Sequence, residues 1–382
     1  MKSPADAGSQ NFAEPRPDLR GLAGVRGQPA VVAALNRALA AGRPHHAYLF
    51  DGPEGVGKAT TARALMAALN CQAPPRSDGA GEDADVAAAG AACGVCESCS
   101  KLRSGSHPDF IVMDMTLAGL ADEVERLLRR LQFPPFESRA QLILIDPADA
   151  LTAPTAQTAA NRLLKTLEEP RAQTHFVLVT TAATALLSTI RSRCQRLRFA
   201  PLPDDVVHSE LVATFGVAPE LAGSVIQLAQ GSLGRALRYV QDQEGLARRQ
   251  QVATELYLAA QSGRAGRIVA AASDAGADRD EAQEVLELLW LRLHGELRAA
   301  AQPLGQPQES PGSSATAAVR LISALRSVRD AQGAIRRYTS APLALERMAR
   351  LLHTALWARG SHGPGTGSER GAGERAQGSA AR

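Results

Sequence analysis

The sequence predicts an α/β domain with a mostly parallel β-sheet, followed by a region built only of helices. Short apolar runs of strand length alternate with helical patterns from Gly21 to about Pro201. A Gly-rich loop ending in lysine separates the first of these runs from a helix. Beyond Pro201 the strand signals fade, and apolar residues recur at helical spacing. Alternating strands and helices favour a parallel sheet, and 382 residues suffice for two or three domains.

Several apolar runs are short and are bounded by turn or polar residues, as buried parallel strands are. These predicted strands are Tyr48–Phe50, Phe110–Met113, Leu142–Ile145 and Phe176–Val179. Helices are predicted between them, over Ala59–Leu69 and Glu123–Leu131. Residues 72–92 are rich in Gly, Ala, Pro and Asp without an apolar period, which indicates a mobile surface insertion.

The remaining segments are assigned from composition and periodicity. Residues 1–20 are polar and contain proline, so we expect a disordered arm, and the Gly-rich residues 358–382 predict a disordered tail. A small helical unit is expected over residues 203–243, with Val225, Leu228 and Ala229 on one face. Residues 244–357 are predicted to be all helical, interrupted by a loop over 301–316.

Charge and hydropathy exclude some classes of protein. The formal net charge of +3 is too small for a free-standing nucleic-acid-binding protein, which normally carries a basic patch or domain. The sequence contains no apolar run of about 18 residues that would predict a membrane span. Its first residues lack the apolar core of a signal peptide. We therefore expect a cytoplasmic protein.

A candidate phosphate-binding loop follows the first predicted strand. Gly52, Gly55 and Gly57 let backbone N–H groups approach phosphate oxygens, and Lys58 reaches the terminal phosphates. The following helix adds partial positive charge at its N-terminus. A simple Gly-rich turn is the alternative. Since strand, loop and helix are all present, the pattern favours binding of a nucleotide such as ATP.

Two positions depart from an active hydrolytic site. Ala59 stands where a Ser or Thr hydroxyl would bind Mg²⁺, and Thr60 lies about 100° away round the helix. Asp146 ends a strand where a second acidic motif would hold Mg²⁺, although it could also be a turn residue. Pro147 follows where a general base would be needed, and proline cannot titrate. Mg²⁺ binding and hydrolysis are therefore expected to be weak.

Four of the five cysteines form a candidate metal site. Cys93, Cys96 and Cys99 have the spacing Cys-x₂-Cys-x₂-Cys, and Cys71 lies upstream. Four thiolates can close a tetrahedral site for structural Zn²⁺. An iron–sulfur cluster is less favoured, because its fourth ligand would fall at Arg103. Free or redox-active thiols are the other alternative.

Two further side chains are weaker candidates for metal ligands. His107 is close enough to be a rival of Cys71, but Pro108 and Asp109 after it predict a turn into a strand. Cys194 stands alone, which is more typical of a buried small apolar residue than of a ligand.

Four segments carry a family resemblance. They are Gly27-Gln28 with the helical run after it, His45–Phe50 leading into the Gly loop, Asn161–Pro170 (Asn-Arg-Leu-Leu-Lys-Thr-Leu-Glu-Glu-Pro) and Ile190–Cys194. In order and spacing they resemble the subunits of bacterial DNA polymerase III clamp loaders, a branch of the AAA+ family. The resemblance covers about residues 21–240 and extends weakly through Pro342–Glu346.

This resemblance implies a domain organisation. It predicts a P-loop AAA+ domain over residues 21–202, with a structural zinc module inserted at about 71–107. The helical unit over 203–243 would be a lid. Residues 244–357 would form an all-α collar, the part through which family members pack into a ring. The apolar helix faces of this collar could equally belong to the bundle of a monomer.

Within the family, the motifs resemble the delta-prime branch more than the ATP-hydrolysing subunits. Asp146-Pro147-Ala148-Asp149 and Gly231–Ala236 both resemble that branch. The arginine that contacts phosphate in cis in the catalytic relatives would fall at Gly234, with Arg235 one position late. Thr181 lies where the family keeps its first polar phosphate sensor.

Arg193 is the candidate catalytic residue. By resemblance, the arginine of Ser192-Arg193-Cys194 crosses a subunit interface and contacts the ATP of a neighbouring subunit. A guanidinium is permanently charged and forked, so it can stabilise charge on a transferring phosphoryl group. The alternative is a surface arginine in a basic stretch, since other arginines lie close by.

The expected function is therefore to help load a ring-shaped sliding clamp onto primed DNA. The implied partners are other clamp-loader subunits, of the gamma/tau ATPase and delta types, together with the clamp and the DNA. One alternative is a catalytically active loader ATPase, and another is a stand-alone zinc-dependent DNA-binding protein. Ala59 and Pro147 oppose the first alternative, and the low net charge opposes the second.

Overall fold

The computed structural model describes residues 20–75, 82–114, 120–152, 157–171, 173–301, 311–336 and 339–357. Of the disordered arm predicted for residues 1–20, residues 1–19 lie outside the described residues, as does the tail predicted for 358–382. Among the residues described, no helix is long and apolar enough to cross a membrane. The chain divides into two compact units, with the boundary between Gln243 and Glu244.

The first unit is an α/β structure followed by three helices. Its elements are, in order, α1 Pro29–Ala40, β1 Ala47–Asp51, α2 Lys58–Asn70, α3 Glu82–Ala89, α4 Glu97–Ser104, β2 Phe110–Asp114, α5 Leu120–Arg130, β3 Gln141–Asp146, α6 Gln157–Glu168, β4 Thr174–Thr180, α7 Ser188–Arg191, β5 Gln195–Arg198, α8 Asp204–Ala213, α9 Pro219–Ala229 and α10 Leu233–Gln241. Four of these strands contain the four apolar runs predicted from the sequence.

The strands form one parallel sheet of order β2-β3-β4-β1-β5. Successive side chains of a strand point to opposite faces. Tyr48 and Phe50 therefore pack into a core on one face, and Ala47 and Leu49 pack into a second core on the other. Burial on both faces explains why these strands are continuous apolar runs. The predicted α/β class with a parallel sheet is confirmed.

The strand β5 was not predicted. It pairs with β1 along one edge of the sheet, and of its four residues only Leu197 is buried. An edge strand with exposed faces lacks both an apolar run and a complete alternation of apolar and polar residues. Its sequence, Gln-Arg-Leu-Arg, therefore carries no strand signal.

Part of the predicted mobile insertion is helical. Helix α3 lies within residues 72–92 and packs against α1, while residues 76–81 of the insertion lie outside the described part of the chain. The sequence of α3 is rich in alanine, the residue with the highest intrinsic helix propensity, although it shows no apolar period. Gly90 directly follows α3, and its carbonyl oxygen accepts a hydrogen bond from Leu22 N–H at 2.8 Å.

The parallel sheet places the candidate nucleotide-site residues along one edge. Because all strands run the same way, their carboxyl ends meet at that edge, where α/β proteins bind ligands. Asp51 ends β1 opposite Thr180 of β4, and Asp146 ends β3 opposite Asp114 of β2. The loop after Asp51 leads directly into α2.

The second unit is helical throughout its described residues, as the sequence predicts. Its helices are α11 Gln243–Ser262, α12 Ala265–Ala275, α13 Arg279–Ala301, α14 Pro311–Arg336 and α15 Ala341–Leu356. In α13 the buried residues Val285, Leu286, Leu289 and Leu293 recur three and four apart. Residues 311–316 of the loop predicted over 301–316 are helical instead, because α14 begins at Pro311. Residues 302–310 lie outside the described chain.

Candidate functional site

The Gly-rich loop joins β1 to the N-terminus of α2. Gly55 and Gly57 have φ angles of +72° and +93°, which side-chain-bearing residues adopt at a cost. A Cβ atom on Gly55 would lie 2.3 Å from Ser232 Oγ. The backbone conformation therefore favours glycine at both positions, in addition to the access that glycine gives to a phosphate.

The ammonium group of Lys58 lies within its own loop. Its Nζ donates hydrogen bonds to Gly52 O at 2.6 Å and to Pro53 O at 2.5 Å. The side chain is buried, and this burial lowers the pKa of Lys58, an effect that the charge of Asp146 opposes. An ammonium carries three N–H donors, so a phosphate would share Lys58 with these two backbone oxygens or compete with them.

Helix α10 covers the loop. Gly234 N–H donates to Gly55 O at 3.0 Å, and Arg238 Nη1 donates to Glu54 Oε1 at 2.9 Å. A Cβ atom on Gly234 would lie 3.0 Å from Gly55 Cα, which is closer than ordinary van der Waals contact. The catalytic relatives would carry an arginine at position 234. Glycine at this position allows the backbones of the loop and of α10 to approach closely.

The residues predicted to bind Mg²⁺ offer few ligands. Ala59 packs against the core on one face of the sheet, and the hydroxyl of Thr61 donates to Gly57 O at 2.8 Å. Thr60 is half-buried on the same turn of α2. Burial raises the pKa of Asp146, while the charge of Lys58 opposes this effect.

Thr181 contacts an acidic residue of its own chain. Asp149 Oδ2 accepts a hydrogen bond from the Thr181 backbone N–H at 3.1 Å and lies 3.4 Å from the Thr181 hydroxyl. The other oxygen of Asp149 accepts from the hydroxyl of Thr180. Asp149, which belongs to the family motif Asp146–Asp149, is therefore a site residue that the sequence pattern alone does not identify. Whether Thr181 senses phosphate stays a prediction.

The basic stretch after α7 contains arginines in different environments. Arg193 Nη2 lies 2.5 Å from Glu168 Oε1, and Arg193 Nη1 donates to Thr189 O at 2.8 Å. Arg196 instead pairs with Asp51 at the end of β1, with Nε 2.9 Å from the carboxylate. The Arg193 side chain remains 33% exposed. These arginines are therefore not equivalent members of one basic surface.

The four predicted cysteine ligands come together. One Sγ atom from each of Cys71, Cys93, Cys96 and Cys99 lies within 4.8 Å of the others. Cys71 follows the last residue of α2, and Cys96 precedes α4, in which Cys99 lies. Sulfur atoms around a tetrahedral Zn²⁺ with Zn–S bonds of about 2.3 Å are separated by about 3.8 Å. The cluster therefore fits such an ion after small adjustments.

Backbone N–H groups prepare one of these thiols to act as a thiolate. Burial raises the pKa of Cys93, but hydrogen bonds from the N–H groups of Val95 and Cys96 and from the side chains of Cys71 and Cys96 outweigh it and bring the pKa to about 6. Burial raises the pKa of Cys71 and of Cys99. A cation would offset the cost of ionising the buried pair, since metal ligands must be deprotonated.

The two other candidate ligands lie outside this cluster. Buried His107 has its Nε2 3.2 Å from the hydroxyls of Ser98 and Ser138, and its Nδ1 accepts from Asp109 N–H at 3.2 Å. Cys194 packs against the core on the other face of the sheet, and burial raises its pKa to about 12. Both positions agree with a packing role.

Comparisons with known proteins identify relatives of the first unit. Residues 27–203 match the family described as DNA polymerase III, delta subunit. The delta' subunit of Bacillus subtilis DNA polymerase III is 35% identical over 196 residues, which is 51% of this chain and 54% of the relative. The tau subunit of the Salmonella typhimurium enzyme is 35% identical over 190 residues, 50% of this chain and 27% of the relative.

A solved structure is also similar. It is a DNA polymerase III gamma subunit-related protein from Thermotoga maritima, with a TM-score of 0.39, 14% sequence identity, and coverage of 84% of this chain and 98% of that one. The chain spans between about a quarter and about half the length of the two curated relatives named above. Over residues 27–203, this part of the chain belongs to the DNA polymerase III delta and delta' clamp-loader family.

Proposed function

We propose that the chain is a delta-prime-type subunit of the sliding-clamp loader of a replicative DNA polymerase. It would work within a ring of loader subunits, supply Arg193 to ATP bound by a neighbouring subunit, and have little ATPase activity of its own. The observation that carries the proposal is the contrast between its two sets of residues. The residues for hydrolysis are incomplete, whereas the predicted trans-acting arginine is present and held at the protein surface.

The state of the chain's own nucleotide site supports the first half of this contrast. Ala59 lacks a hydroxyl for Mg²⁺, and Pro147 cannot act as a general base. Lys58 already donates to two backbone oxygens, and α10 contacts the loop through Gly234. ATP would compete with the two carbonyls for Lys58, so we infer weak binding, and the missing hydroxyl and general base imply no efficient turnover.

The surroundings of Arg193 support the second half. Its guanidinium contacts the Glu168 carboxylate, the Thr189 carbonyl and, at 3.5 Å, the Ser192 hydroxyl, and one third of the side chain stays accessible to solvent. An arginine finger stabilises the negative charge that spreads over a transferring phosphoryl group. Such a finger needs a second subunit that holds ATP, which is why the proposal requires gamma/tau-type partners. The family's delta subunit, the clamp and primed DNA complete the proposed assembly.

The four-cysteine cluster is proposed to hold one structural Zn²⁺. Four thiolates leave no open coordination position for water, which is typical of structural rather than catalytic zinc. The ion would join the end of α2 to the segment that carries Cys93 and to α4. It would supply folding energy to this part of the chain and take no part in ATP hydrolysis.

An active loader ATPase is the second candidate function. The similarity to tau subunits, 35% over 190 residues in one case, favours it. Ala59 and Pro147 oppose it, because both changes remove groups that hydrolysis needs. Similarity of this kind reflects the shared fold of the domain, whereas catalysis depends on the specific residues at the site.

Substitution of Arg193 tests the main proposal. In a loader reconstituted with this chain, we expect Arg193→Ala to lower the ATPase activity stimulated by DNA and clamp. Loss of an arginine finger costs on the order of a thousandfold at its own site, and other sites in the ring keep theirs, so the total should fall less. The fold should tolerate the change within about 0.5 kcal/mol, as exposed positions usually do.

Arg198→Ala is the matched control, since Arg198 is exposed and belongs to the same basic stretch. Arg196→Ala is a poorer control, because Arg196 pairs with Asp51 beside the phosphate loop. Equal and small losses of ATPase activity for Arg193→Ala and Arg198→Ala would mean that Arg193 belongs only to a basic surface. The trans-acting role would then be abandoned.

A further inference from the structure

Glu168 belongs to the ten-residue motif Asn161–Pro170, for which the proposed function gives no role. It is the last residue of α6, and Glu169 follows it. Two carboxylates at the C-terminus of a helix lie beside its partial negative charge, where cations are favoured instead. Residues that oppose the stability of their own helix in this way are expected at functional positions. The acidic end of α6 therefore needs an explanation beyond helix stability.

The contact that Glu168 makes is with Arg193. Glu168 Oε1 lies 2.5 Å from Arg193 Nη2, and Arg193 Nη1 donates to Thr189 O at 2.8 Å. The carboxylate and the carbonyl come from two elements, the end of α6 and helix α7. Two contacts to separate nitrogens fix both the position and the plane of the guanidinium, which one contact could not do.

This arrangement leaves part of the guanidinium available. An arginine carries five N–H donors in one plane, and Glu168 and Thr189 each accept from a different nitrogen. With the side chain 33% exposed, the remaining donors can reach an acceptor outside the chain. A long side chain that is already ordered loses less conformational entropy when it binds such an acceptor.

We propose that Glu168 is a positioning residue for Arg193, which orients the guanidinium for the phosphates of ATP on a neighbouring subunit. This inference rests on the proposed function, and it assigns a role to an acidic residue that touches neither the nucleotide nor the metal site. An incidental surface ion pair is the competing explanation, because exposed pairs of this kind contribute little to stability. The two explanations differ in their effect on turnover.

The test is the ATPase kinetics of the reconstituted loader. Glu168→Ala should lower kcat by about threefold to tenfold, the change expected when one long side chain is no longer held in place. The KM for ATP should stay the same, because the neighbouring subunit binds the nucleotide with its own residues. Glu168→Gln should lower kcat by only about twofold, since its amide oxygen still accepts a weaker, neutral hydrogen bond.

Two controls separate positioning from a structural role. Glu169→Ala removes the adjacent carboxylate, which lines a cavity of about 210 Å³ with Lys165 and Arg171, and it should leave kcat unchanged. In an Arg193→Ala background, Glu168→Ala should cause no further loss, because it acts only through that arginine. If Glu168→Ala prevents assembly of the loader, the isosteric Glu168→Gln variant provides the kinetic test.

The outcomes distinguish the inference from the function on which it rests. If Arg193→Ala lowers kcat while Glu168→Ala and Glu168→Gln behave like Glu169→Ala, positioning is overturned and the trans-acting arginine stands. A rise in kcat with Glu168→Ala would also overturn it, since the ion pair would then restrain Arg193. If Arg193→Ala itself has no effect, the inference and the proposed function fail together.

Discussion

Gly55 and Gly57 have similar backbone conformations but different surroundings. Both φ angles are positive, +72° and +93°. A Cβ on Gly55 would lie 2.3 Å from Ser232 Oγ and 3.1 Å from Gly234, whereas a Cβ on Gly57 would meet no atom within 4 Å. A substitution at Gly57 therefore tests only the cost of the left-handed backbone. A substitution at Gly55 adds the cost of contact with the residues at the start of α10.

Substitution of these glycines tests whether α10 covers the loop in solution. Gly57→Ala should cost about 1 kcal/mol of unfolding free energy, from backbone strain alone. Gly55→Ala should cost about 1–3 kcal/mol more, because the added methyl group has no space beside Ser232. Denaturant unfolding of both variants measures the difference. Equal losses of stability would show that the loop and α10 are apart in the folded protein.

Some site residues could be predicted from the sequence, and others needed the structure. Ala59 and Pro147 are apparent in the sequence, because an absent hydroxyl or carboxyl is a property of the residue itself. The position of the Lys58 ammonium depends on two carbonyls of its loop, and the hydroxyl of Thr181 depends on the location of Asp149. No spacing rule specifies such contacts, since several rotamers satisfy the same motif.

Helix α2 links the two candidate sites. It begins at Lys58, at the end of the candidate phosphate-binding loop, and ends at Asn70, one residue before the candidate metal ligand Cys71. A metal ion bound by Cys71 and by the cysteines around α4 would fix the end of this helix against α4. The ion would thereby stabilise the element that carries the phosphate loop, without direct contact to that loop.

The metal content of the purified protein tests this role. We expect about one Zn²⁺ per chain, and Cys96→Ser should lose the metal and lower the melting temperature of the protein. Acidification should release the ion, because protons compete for thiolates such as Cys93, whose pKa is about 6 without metal.

Cys194→Ser is the control for this metal analysis. It removes the fifth cysteine, which lies outside the cluster and packs in another core, so the variant should keep its zinc. Protein without metal, or with iron and visible absorbance, would contradict the assignment to zinc.

At the level of elements, burial decided what could be predicted. Strands buried on both faces, such as β3 and β4, are apolar runs that a sequence reveals directly. The edge strand β5 owes its place to pairing with β1 and carries only one buried residue. Helix α3 depends on alanine propensity and on its contact with α1, so its sequence shows no apolar stripe.

At the scale of the whole molecule, the proposed activity belongs to an assembly rather than to this chain. In the proposed assignment, the first unit carries a nucleotide site without the hydroxyl and the general base, together with the candidate finger Arg193, so a full catalytic cycle would need a second subunit. The net charge of +3 likewise gives little basis for tight DNA binding by the chain alone. Both observations favour functions that appear only when other subunits are present.

The isolated chain should therefore bind nucleotide weakly and hydrolyse it at background rates. Weak binding of ADP is expected because the Gly loop is intact, and Lys58→Ala should abolish it, since that ammonium is the loop's own phosphate-binding charge. Calorimetric titration measures the affinity of the isolated chain for ADP, and a steady-state ATPase assay measures its rate of ATP hydrolysis. Turnover should appear only on adding the partner subunits and should then depend on Arg193. Robust hydrolysis by the isolated chain, lost in Lys58→Ala, would instead identify it as an active loader ATPase, because the missing hydroxyl and carboxylate would then have been replaced by other groups of the same chain.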